Sequence, residues 1–389
     1  MATVPIPRRR PIASMRHDPS AVWHHVDATL VSCLLGVASL GVLMVYSATR
    51  YIGPGEPLNN QFLTRQLFFV VIGLLVAAVV AVVDYHKILD QAPLIYGSTI
   101  LLLVAVRLVG ERRSGTQGWF QMGPFQLQPS EFAKLALVLG FTYLATQFHG
   151  DIDLRRLGAL LGLSALPIVL VLLQPDLGTA LVSVAITFCL LVAAGVKGRY
   201  LVLLGVGAIL FATLVLTSGM LDGYQKDRLT VFANQENPDL SKEDSRDDYY
   251  NLEQSKLAIG SGGVRGTGLF NGPQTRSNRV PEQHTDFIFS VVGEELGLIG
   301  AGGLLAAYSV IVWRVWRTAQ LARDDAGTMI CLGVLAMFVF QIFQNVGMTM
   351  GIMPITGIPL PFLSYGGSST LMAFVAMGLV LNVHMRRFR

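Results

Sequence analysis

Ten apolar runs, each close to the length that crosses a lipid bilayer, divide this chain of 389 residues. A membrane-spanning helix needs about 20 apolar residues. A helix also satisfies its own backbone hydrogen bonds, as a segment in hydrocarbon must. The runs therefore predict an all-α polytopic membrane protein with about ten transmembrane helices. They lie near residues 26–47, 66–83, 92–109, 129–147, 157–173, 177–194, 200–218, 287–313, 327–351 and 366–385.

The composition agrees with a membrane protein. Hydrophobic residues make up 52% of the chain and charged residues 14%, whereas soluble proteins average about 25% charged residues. Cys33, Cys189 and Cys331 each fall inside an apolar run, which argues against a disulfide framework and against a zinc site with clustered ligands. We therefore expect an integral membrane protein that binds no nucleic acid and has no dedicated metal ligands.

The Lys and Arg residues predict the orientation of the chain. With the N-terminus inside, 15 of them lie in the inner segments and 5 in the short outer loops and their flanks. Cytoplasmic loops carry the excess of Lys and Arg, so both termini are predicted to be cytoplasmic. A cytoplasmic tail of residues 1–25 would then precede one membrane domain, 26–389, which includes a large extracytoplasmic loop at 218–286.

This long loop changes the sign of its charge along its length. Its first part is acidic, and its second part is basic and free of carboxylates until Glu282. Arginine and lysine clusters of this kind suit phosphate groups, while a solvated linker is the plainer interpretation. The acidic residues are Asp239, Glu243, Asp244, Asp247, Asp248 and Glu253, and the basic ones are Lys256, Arg265, Arg276 and Arg279.

Two local patterns occur inside the loop. Tyr249, Leu252, Lys256 and Ile259 follow helical spacing, which predicts a short amphipathic helix on the membrane surface. The glycine-rich run 260–268 follows it. Glycines let backbone N–H groups approach an anion, but the run lacks the Lys-Ser or Lys-Thr of a Walker loop. It is a weak candidate for a phosphate cradle, and a flexible turn is the alternative.

Asp286 stands at the seam between the long loop and the next apolar run. It is the last charged residue before Phe287, so it should lie where water meets the lipid headgroups. Partial desolvation there would favour a carboxylate acting as a general base. The competing interpretation is that Asp286 caps the following helix, because Asp near a helix start accepts from free N–H groups.

Other polar residues lie in or beside the spans. Glu131 and Lys134 are three residues apart in the fourth run, so they can pair, either as glue between spans or beside a functional cavity. Trp119, in the outer loop before that run, is a membrane-interface anchor or a platform for a sugar ring. Asp176 is expected to cap the sixth span.

Further predictions concern polar residues and an irregular segment in the last third of the chain. One carboxylate of Glu294 and Glu295 is predicted to face the same cavity as Asp286, although their spacing aligns them imperfectly. Polar residues of the ninth span, Gln341, Gln344 and Asn345, are predicted to join helices. Segment 353–369 is too rich in Pro and Gly to be helix, so we expect a folded cap over the outer face, with Ser368 or Ser369 capping the last span.

Three of these motifs together resemble the SEDS family, named for shape, elongation, division and sporulation. The resemblance runs in order along the chain. In segment 254–263, and in lacking long tails, the chain resembles the elongation branch of the family more than the division branch. The motifs are Gln128–Glu131, His284–Phe289 with Gly293–Gly297, and Gly357–Pro361 with Ser364–Ser369.

The resemblance implies a peptidoglycan glycosyltransferase in the bacterial cytoplasmic membrane. Such an enzyme polymerises lipid II at the outer face and works with a class B penicillin-binding protein and other elongation-complex membrane proteins. The family's essential Asp falls on Asp286, its loop Trp on Trp119 and its polar pair on Glu131 and Lys134. Thr267 stands where the family often has Lys, which moves the expected phosphate contact to Lys256 and Arg265.

The implied chemistry needs a base for the acceptor hydroxyl and cations for the departing pyrophosphate. Asp286 is the expected base, and Lys256, Arg265, Arg276 and Arg279 are the candidate cations. No cofactor is certain, although a divalent cation could share the second task. Two other functions remain open: a flippase for lipid-linked precursors, and a non-enzymatic scaffold of the wall-synthesis complex.

Overall fold

The computed structural model describes residues 25–50, 60–113, 116–122, 125–148, 152–218, 231–232, 235, 243–277 and 279–388. Most of the predicted cytoplasmic tail, 1–25, therefore lies outside the described residues. The same holds for much of the predicted loop 218–286, including Asp239 of its acidic part.

The described chain is mostly helical, with one small sheet between its fourth and fifth helices. The helices are α1 Ala28–Thr49, α2 Gln61–Val82, α3 Tyr85–Asp90, α4 Ala92–Val109, α5 Pro129–Thr146, α6 Leu154–Leu172, α7 Leu177–Ala193, α8 Gly198–Ser218, α9 Glu243–Gly262, α10 Pro273–Arg276, α11 Ile288–Gln320, α12 Asp325–Thr349 and α13 Gly367–Arg386. The strands are β1 Glu111–Arg113, β2 Thr116–Met122 and β3 Phe125–Leu127.

Each of the ten predicted spans coincides with a helix. Within the described residues, 7 helices are long and apolar enough to cross a membrane: α1, α2, α4, α6, α11, α12 and α13. The predicted spans at 129–147, 177–194 and 200–218 are α5, which carries Glu131 and Lys134, the 17-residue α7 and the apolar α8. The all-α polytopic class is confirmed.

Aspartate side chains start several of these helices. Asp27, Asp153, Asp176 and Asp324 accept from the backbone N–H three residues ahead, at 3.1, 2.9, 2.9 and 2.7 Å. Such a bond satisfies one of the free N–H groups of a first turn. The cap predicted for Asp176 is confirmed.

The core forms around α5, which is covered on nearly all sides. Leu137, Val138 and Phe141 of α5 are fully buried, and α4, α6, α7, α12 and α13 all contact this helix. The apolar outer faces of α2, α4 and α8 remain exposed, as in Leu75, Leu101 and Val202. Exposed leucine and valine on helices of this length suit contact with lipid.

The three strands form an antiparallel sheet in the order β1-β2-β3 between α4 and α5. Phe120 pairs with Leu127, and Met122 pairs with Phe125. From the sequence, this segment is predicted only as an outer loop. The Gly123–Pro124 pair between two short strands is a turn signal that could have indicated the hairpin.

Candidate functional site

Asp286 lies in a tight turn just before α11. The carbonyl of Glu282 accepts from the N–H groups of Thr285, Asp286 and Phe287 at 3.1, 3.2 and 3.3 Å. The N-cap residue of α11 is Phe287, and its own side chain makes no capping hydrogen bond. Asp286 therefore precedes the N-cap position and is not the N-cap residue itself. Asp286 is half-buried and is followed by the buried Phe287.

The backbone around Asp286 is attached to two distant segments. The side-chain amide of Asn345 donates to the carbonyl of Asp286 and to that of Ile358, both at 2.8 Å. The N–H of Tyr365 donates to the carbonyl of His284 at 2.8 Å. Segments 284–289, 357–361 and 364–369, far apart in sequence, therefore meet at one place.

Aromatic rings cover this junction. The ring of His284 lies 5.0 Å from Phe62 and 5.6 Å from Tyr365, and Phe62 lies 5.1 Å from Tyr365. The Phe62 contacts are edge-to-face, a favourable arrangement of aromatic quadrupoles. This cluster fixes the residue two positions before Asp286 and brings the start of α2 to the site.

Segment 353–369 is irregular as far as Gly366, and its last three residues already belong to α13. Most of it is buried between helices, as expected for apolar non-helical backbone. The hydroxyl of Tyr308 donates to the carbonyl of Pro361 at 2.6 Å, and the side-chain amide of Gln344 donates to the carbonyl of Pro354 at 2.8 Å. Gln344 and Asn345 thus bind irregular backbone, which corrects the prediction that they join helix to helix. The residue types alone could not show whether these amides bind irregular backbone or a neighbouring helix.

The predicted serine cap of α13 is also wrong. Its N-cap residue is Gly366, and no side chain caps the helix. The hydroxyl of Ser368 instead accepts from the N–H of Gln128 at 3.0 Å and donates to the carbonyl of Gln126 at 3.2 Å. Ser368 therefore joins the start of α13 to the segment between β3 and α5.

Glu131 and Lys134 form the predicted pair. The Nζ of Lys134 lies 2.7 Å from Oε1 of Glu131, and the two residues are 1% and 3% exposed. They line a cavity of about 10 Å³ together with Gln341, Ser364 and Thr370, enough space for about one water molecule. The start of α5 is fixed nearby, where Asp176 accepts from the hydroxyl of Ser130 at 3.2 Å.

Trp119 lies in β2, half-buried and opposite Glu111 in the sheet register. Its place before α5 is the one expected from the sequence, although Ser114 and Gly115 of the same outer loop lie outside the described residues. Its role as anchor or sugar platform stays a prediction.

The four basic candidates lie on three separate segments of the chain. Lys256, on α9, lies 3.3 Å from Glu253 and donates to Gln235 at 2.8 Å. Arg265 is exposed after the end of α9, and Arg276 and Arg279 are exposed at and beyond the end of α10. Lys256 is therefore partly neutralised by Glu253, whereas the side chains of the three arginines are exposed.

The helix predicted near Tyr249–Ile259 is present as α9, which packs on α11 and α12. Leu252 and Ala258 are buried, and the hydroxyl of Ser255 donates to the carbonyl of Thr349 at 2.9 Å. One face of α9 thus packs on protein, and its position at the membrane surface stays a prediction.

The glycine-rich run is a structural strap, defined here as residues 263–268, rather than a phosphate cradle. The strap lies against a kink in α11 at Gly297, where φ is 65°. Thr267 and Gly268 donate their N–H groups to the carbonyls of Glu294 and Glu295 at 2.9 and 3.1 Å. These donors are therefore unavailable to an anion, which corrects the cradle hypothesis.

Backbone of α11 donates to the strap in return. Leu298 and Ile299 donate to the carbonyls of Gly263 and Val264 at 2.9 and 3.1 Å. A side chain at Gly266, where φ is +78°, would collide with the carbonyl oxygen of Glu295. Glycine is needed there for both its positive φ and its close approach.

The two glutamates of α11 face neighbouring backbone and α1. The carboxylate of Glu294 accepts from the N–H groups of Gln274 and Thr275 at 2.7 and 2.9 Å, at the first turn of α10. Oε1 of Glu295 accepts from the hydroxyl of Ser47 in α1 at 2.5 Å. Both glutamates are buried in these contacts, and a cavity shared with Asp286 stays a prediction.

Among the residues that the structure describes, no three His, Cys, Asp or Glu side chains are grouped so that they could hold a metal ion. The described part of the chain supplies no ligand set, and participation of a divalent cation stays a prediction.

Fold and site together define a polytopic membrane protein whose turn before α11 carries a half-buried aspartate. The chain belongs to the FtsW/RodA/SpoVE family of cell cycle proteins, whose sequence model matches residues 27–388. The resemblance to the SEDS family is thereby confirmed.

Curated relatives come from several branches of this family. The peptidoglycan glycosyltransferase MrdB of Escherichia coli (strain K12) is 33% identical over 365 residues, which cover 93% of this chain and 94% of the relative. The probable peptidoglycan glycosyltransferase FtsW of Trichlorobacter lovleyi is 36% identical over 362 residues, 92% of each chain. Identities this similar do not separate the elongation branch from the division branch.

Solved structures agree with the fold. A chain in a study of the structural coordination of polymerization and crosslinking by a peptidoglycan synthase complex superposes with a TM-score of 0.78 at 30% identity, covering 94% of this chain and 99% of that one. The rod shape determining protein RodA of Thermus thermophilus superposes with a TM-score of 0.68, also at 30% identity, with the same coverage.

Proposed function

We propose that this protein is a peptidoglycan glycosyltransferase that polymerises lipid II at the outer face of the bacterial cytoplasmic membrane, with Asp286 as the general base. The observation that carries the proposal is the turn at 282–287, where segments 284–289, 357–361 and 364–369, from two of the three family motifs, meet around the half-buried Asp286. The names of the curated relatives support the reaction class.

The reaction joins two sugars and releases a lipid pyrophosphate. A base takes the proton of the acceptor hydroxyl as its oxygen forms the new bond at the anomeric carbon of the donor, and the bond from that carbon to the pyrophosphate breaks. Asp286 is the proposed base because the resemblance places the family's essential Asp there, in a half-buried position just before α11. Its main chain is anchored by Glu282 and Asn345, so a substrate hydroxyl would meet a fixed carboxylate.

The leaving pyrophosphate gains negative charge, and cations at that point lower the barrier. Arg265, Arg276 and Arg279 are the proposed phosphate contacts, since their side chains are exposed, with Lys256 as a weaker fourth candidate because Glu253 pairs with it. Glu131, Lys134 and Trp119 are proposed to line the substrate path. A divalent cation would add charge beside the same phosphates.

We further assign the protein to the elongation branch, with both termini cytoplasmic. The support is segment 254–263 and the distribution of Lys and Arg in the sequence. A class B penicillin-binding protein is the proposed crosslinking partner, together with other elongation-complex proteins. The match to a chain from a peptidoglycan synthase complex supports a partner of that kind.

The test is polymerisation of lipid II by purified protein in liposomes. Asp286→Asn preserves size and removes the base, so we expect a folded protein without polymerisation. Glu282→Gln is the matched control, because it alters an exposed carboxylate in the same turn, and it should polymerise normally. Near wild-type polymerisation by Asp286→Asn would refute the assignment of the base.

The same liposomes separate the rival functions. A flippase would move labelled lipid II between leaflets without making polymer, and a scaffold would do neither. If the wild-type protein made no polymer even with its transpeptidase partner present, the glycosyltransferase proposal itself would fail.

A further inference from the structure

Glu294 lies in α11 eight residues after Asp286, and its side chain is 0% exposed. Both of its carboxylate oxygens accept from α10, and Oε1 also accepts a longer bond from the hydroxyl of Ser261 in α9 at 3.5 Å. Oε1 accepts from the N–H of Gln274 at 2.7 Å, and Oε2 accepts from the N–H of Thr275 at 2.9 Å and from its hydroxyl at 2.6 Å. Glu294 therefore caps α10 from a different helix.

Gln283 fixes the other side of α10. Its side chain is 2% exposed, and its Nε2 donates to the carbonyl of Thr275 at 3.2 Å and to that of Ala48 at 2.8 Å. Gln283 belongs to the turn that presents Asp286. The short helix α10 is thus attached both to that turn and to the helix that follows it.

What α10 presents to solvent is positive charge. Arg276 is its last residue and Arg279 follows three positions later, and both are exposed. Glu294 is enclosed, so it cannot touch a substrate itself. Whatever it contributes to a reaction must pass through the segment that it fixes.

We propose that Glu294 and Gln283 are positioning residues, which hold α10 so that Arg276 and Arg279 meet the phosphates of a lipid-linked sugar donor while Asp286 meets the acceptor. The inference rests on the proposed function and adds a spatial coupling between base and cations. A carboxylate that binds two N–H groups and a hydroxyl in a buried place makes charge-assisted bonds, which are stronger than neutral ones. Its loss should therefore displace α10.

The experiment is a mutant cycle on lipid II polymerisation, with kcat and KM measured separately. Glu294→Gln places an amide donor against N–H donors, and we expect kcat/KM for lipid II to fall about tenfold or more. In a background of Arg276→Gln and Arg279→Gln, the same change should have almost no further effect, because its route to the phosphates is already lost.

Glu295→Gln is the matched control. It alters the adjacent buried carboxylate, which contacts Ser47 in α1 rather than α10. A loss caused only by damage to the fold should multiply with the arginine changes, and Glu295→Gln is expected to do so. Multiplication by Glu294→Gln as well, or wild-type kinetics for it, would overturn the inference.

Thr275→Val keeps the test decisive if Glu294→Gln does not fold. It removes only the hydroxyl donor to Oε2, so a smaller loss that again disappears in the arginine background is expected, and a multiplying loss would contradict the coupling. Asp286→Asn, assayed in parallel, reports separately on the proposed function. An inactive Asp286→Asn with a multiplying Thr275→Val would reject the coupling alone.

Discussion

The side-chain amide of Asn345, near the end of α12, donates to the main-chain carbonyl of Asp286 at 2.8 Å. The same nitrogen donates to the carbonyl of Ile358 at 2.8 Å. One fully buried side chain therefore joins α12, the irregular segment 353–369 and the turn before α11. The position of the proposed base depends on a residue 59 positions away in sequence.

Asn345→Ala should lower kcat far more than it raises KM. The change frees the backbone of Asp286 without touching its carboxylate, and displacement of a reacting group by about 1 Å can cost about 100-fold. The measurement is steady-state polymerisation of lipid II. Gln344→Ala, which releases Pro354 instead, is the comparison. Equal small effects of both changes would show that the anchor of Asp286 is unimportant.

Breaking the pair of Glu131 and Lys134 should cost more than replacing both partners. Removing one partner leaves a lone buried charge and lowers the stability of a protein by about 3–5 kcal/mol, whereas replacing both partners by uncharged residues can leave the stability nearly unchanged. Thermal unfolding in detergent is the measurement for Glu131→Gln, Lys134→Met and the double variant. A double variant less stable than either single one would contradict the pairing argument.

Arg265→Gln should reduce the use of lipid II more than Arg246→Gln does. Both arginines are exposed, but Arg246 lies in the acidic first turns of α9, so it serves as the control. Phosphate contacts that strengthen as the pyrophosphate leaves should lower kcat together with apparent affinity. If both variants show the same small loss and recover in neutral lipid, the arginines merely attract anionic headgroups.

Gly266→Ala should destabilise the protein by about 1–3 kcal/mol, the usual cost of forcing atoms into a packed place. A Cβ there meets the Glu295 carbonyl, and φ is +78°. Gly260→Ala is its partner experiment, because a Cβ at Gly260 in α9 meets nothing within 4 Å. There we expect no loss, or a gain of up to about 1 kcal/mol from better helix propensity. Comparable melting temperatures for the two variants would argue against the strap.

His86 should make stability depend on pH. It lies 2.9 Å from Asp84 and 2.8 Å from Asp324, while Tyr85 donates to Asp324 at 2.8 Å and Arg386 lies 3.6 Å from Asp84. Burial opposes the charged imidazolium, but the hydrogen bonds and charges of the two carboxylates outweigh it and raise the pKa of His86. Burial likewise opposes ionisation of Asp84 and Asp324, yet their hydrogen bonds and the cations lower the pKa of both.

Because the pKa of His86 is raised in the folded protein, its contribution to folding stability is complete below its ordinary pKa of about 6.5. That contribution disappears as the pH rises through the raised value. The two carboxylates, with lowered pKa values, stabilise the folded protein above about pH 4, and their contribution is lost only in stronger acid. The difference in melting temperature between wild type and His86→Gln should therefore be largest near pH 5–6 and decline above it. The effect should stay below about 1 kcal/mol, because His86 is half-exposed. A difference that grows with pH would reverse the assignment.

The sequence by itself determined the helices and their class. A span satisfies its own backbone, so apolar length alone predicted ten elements whose places the structure confirms. Local rules likewise predicted the Asp176 cap and the pair of Glu131 and Lys134, because partners three residues apart on one helix must meet. The family motifs were also readable as strings of residues.

Only the tertiary structure decided what those residues contact. The strap against Gly297, the cap of α10 by Glu294 and the anchor from Asn345 to Asp286 each join segments that no local periodicity relates. Backbone released at a kink or in an irregular segment must find a partner wherever packing brings one. Composition could suggest a phosphate cradle at the glycines, but the carbonyls of Glu294 and Glu295, distant in sequence, accept from the N–H groups that an anion would need.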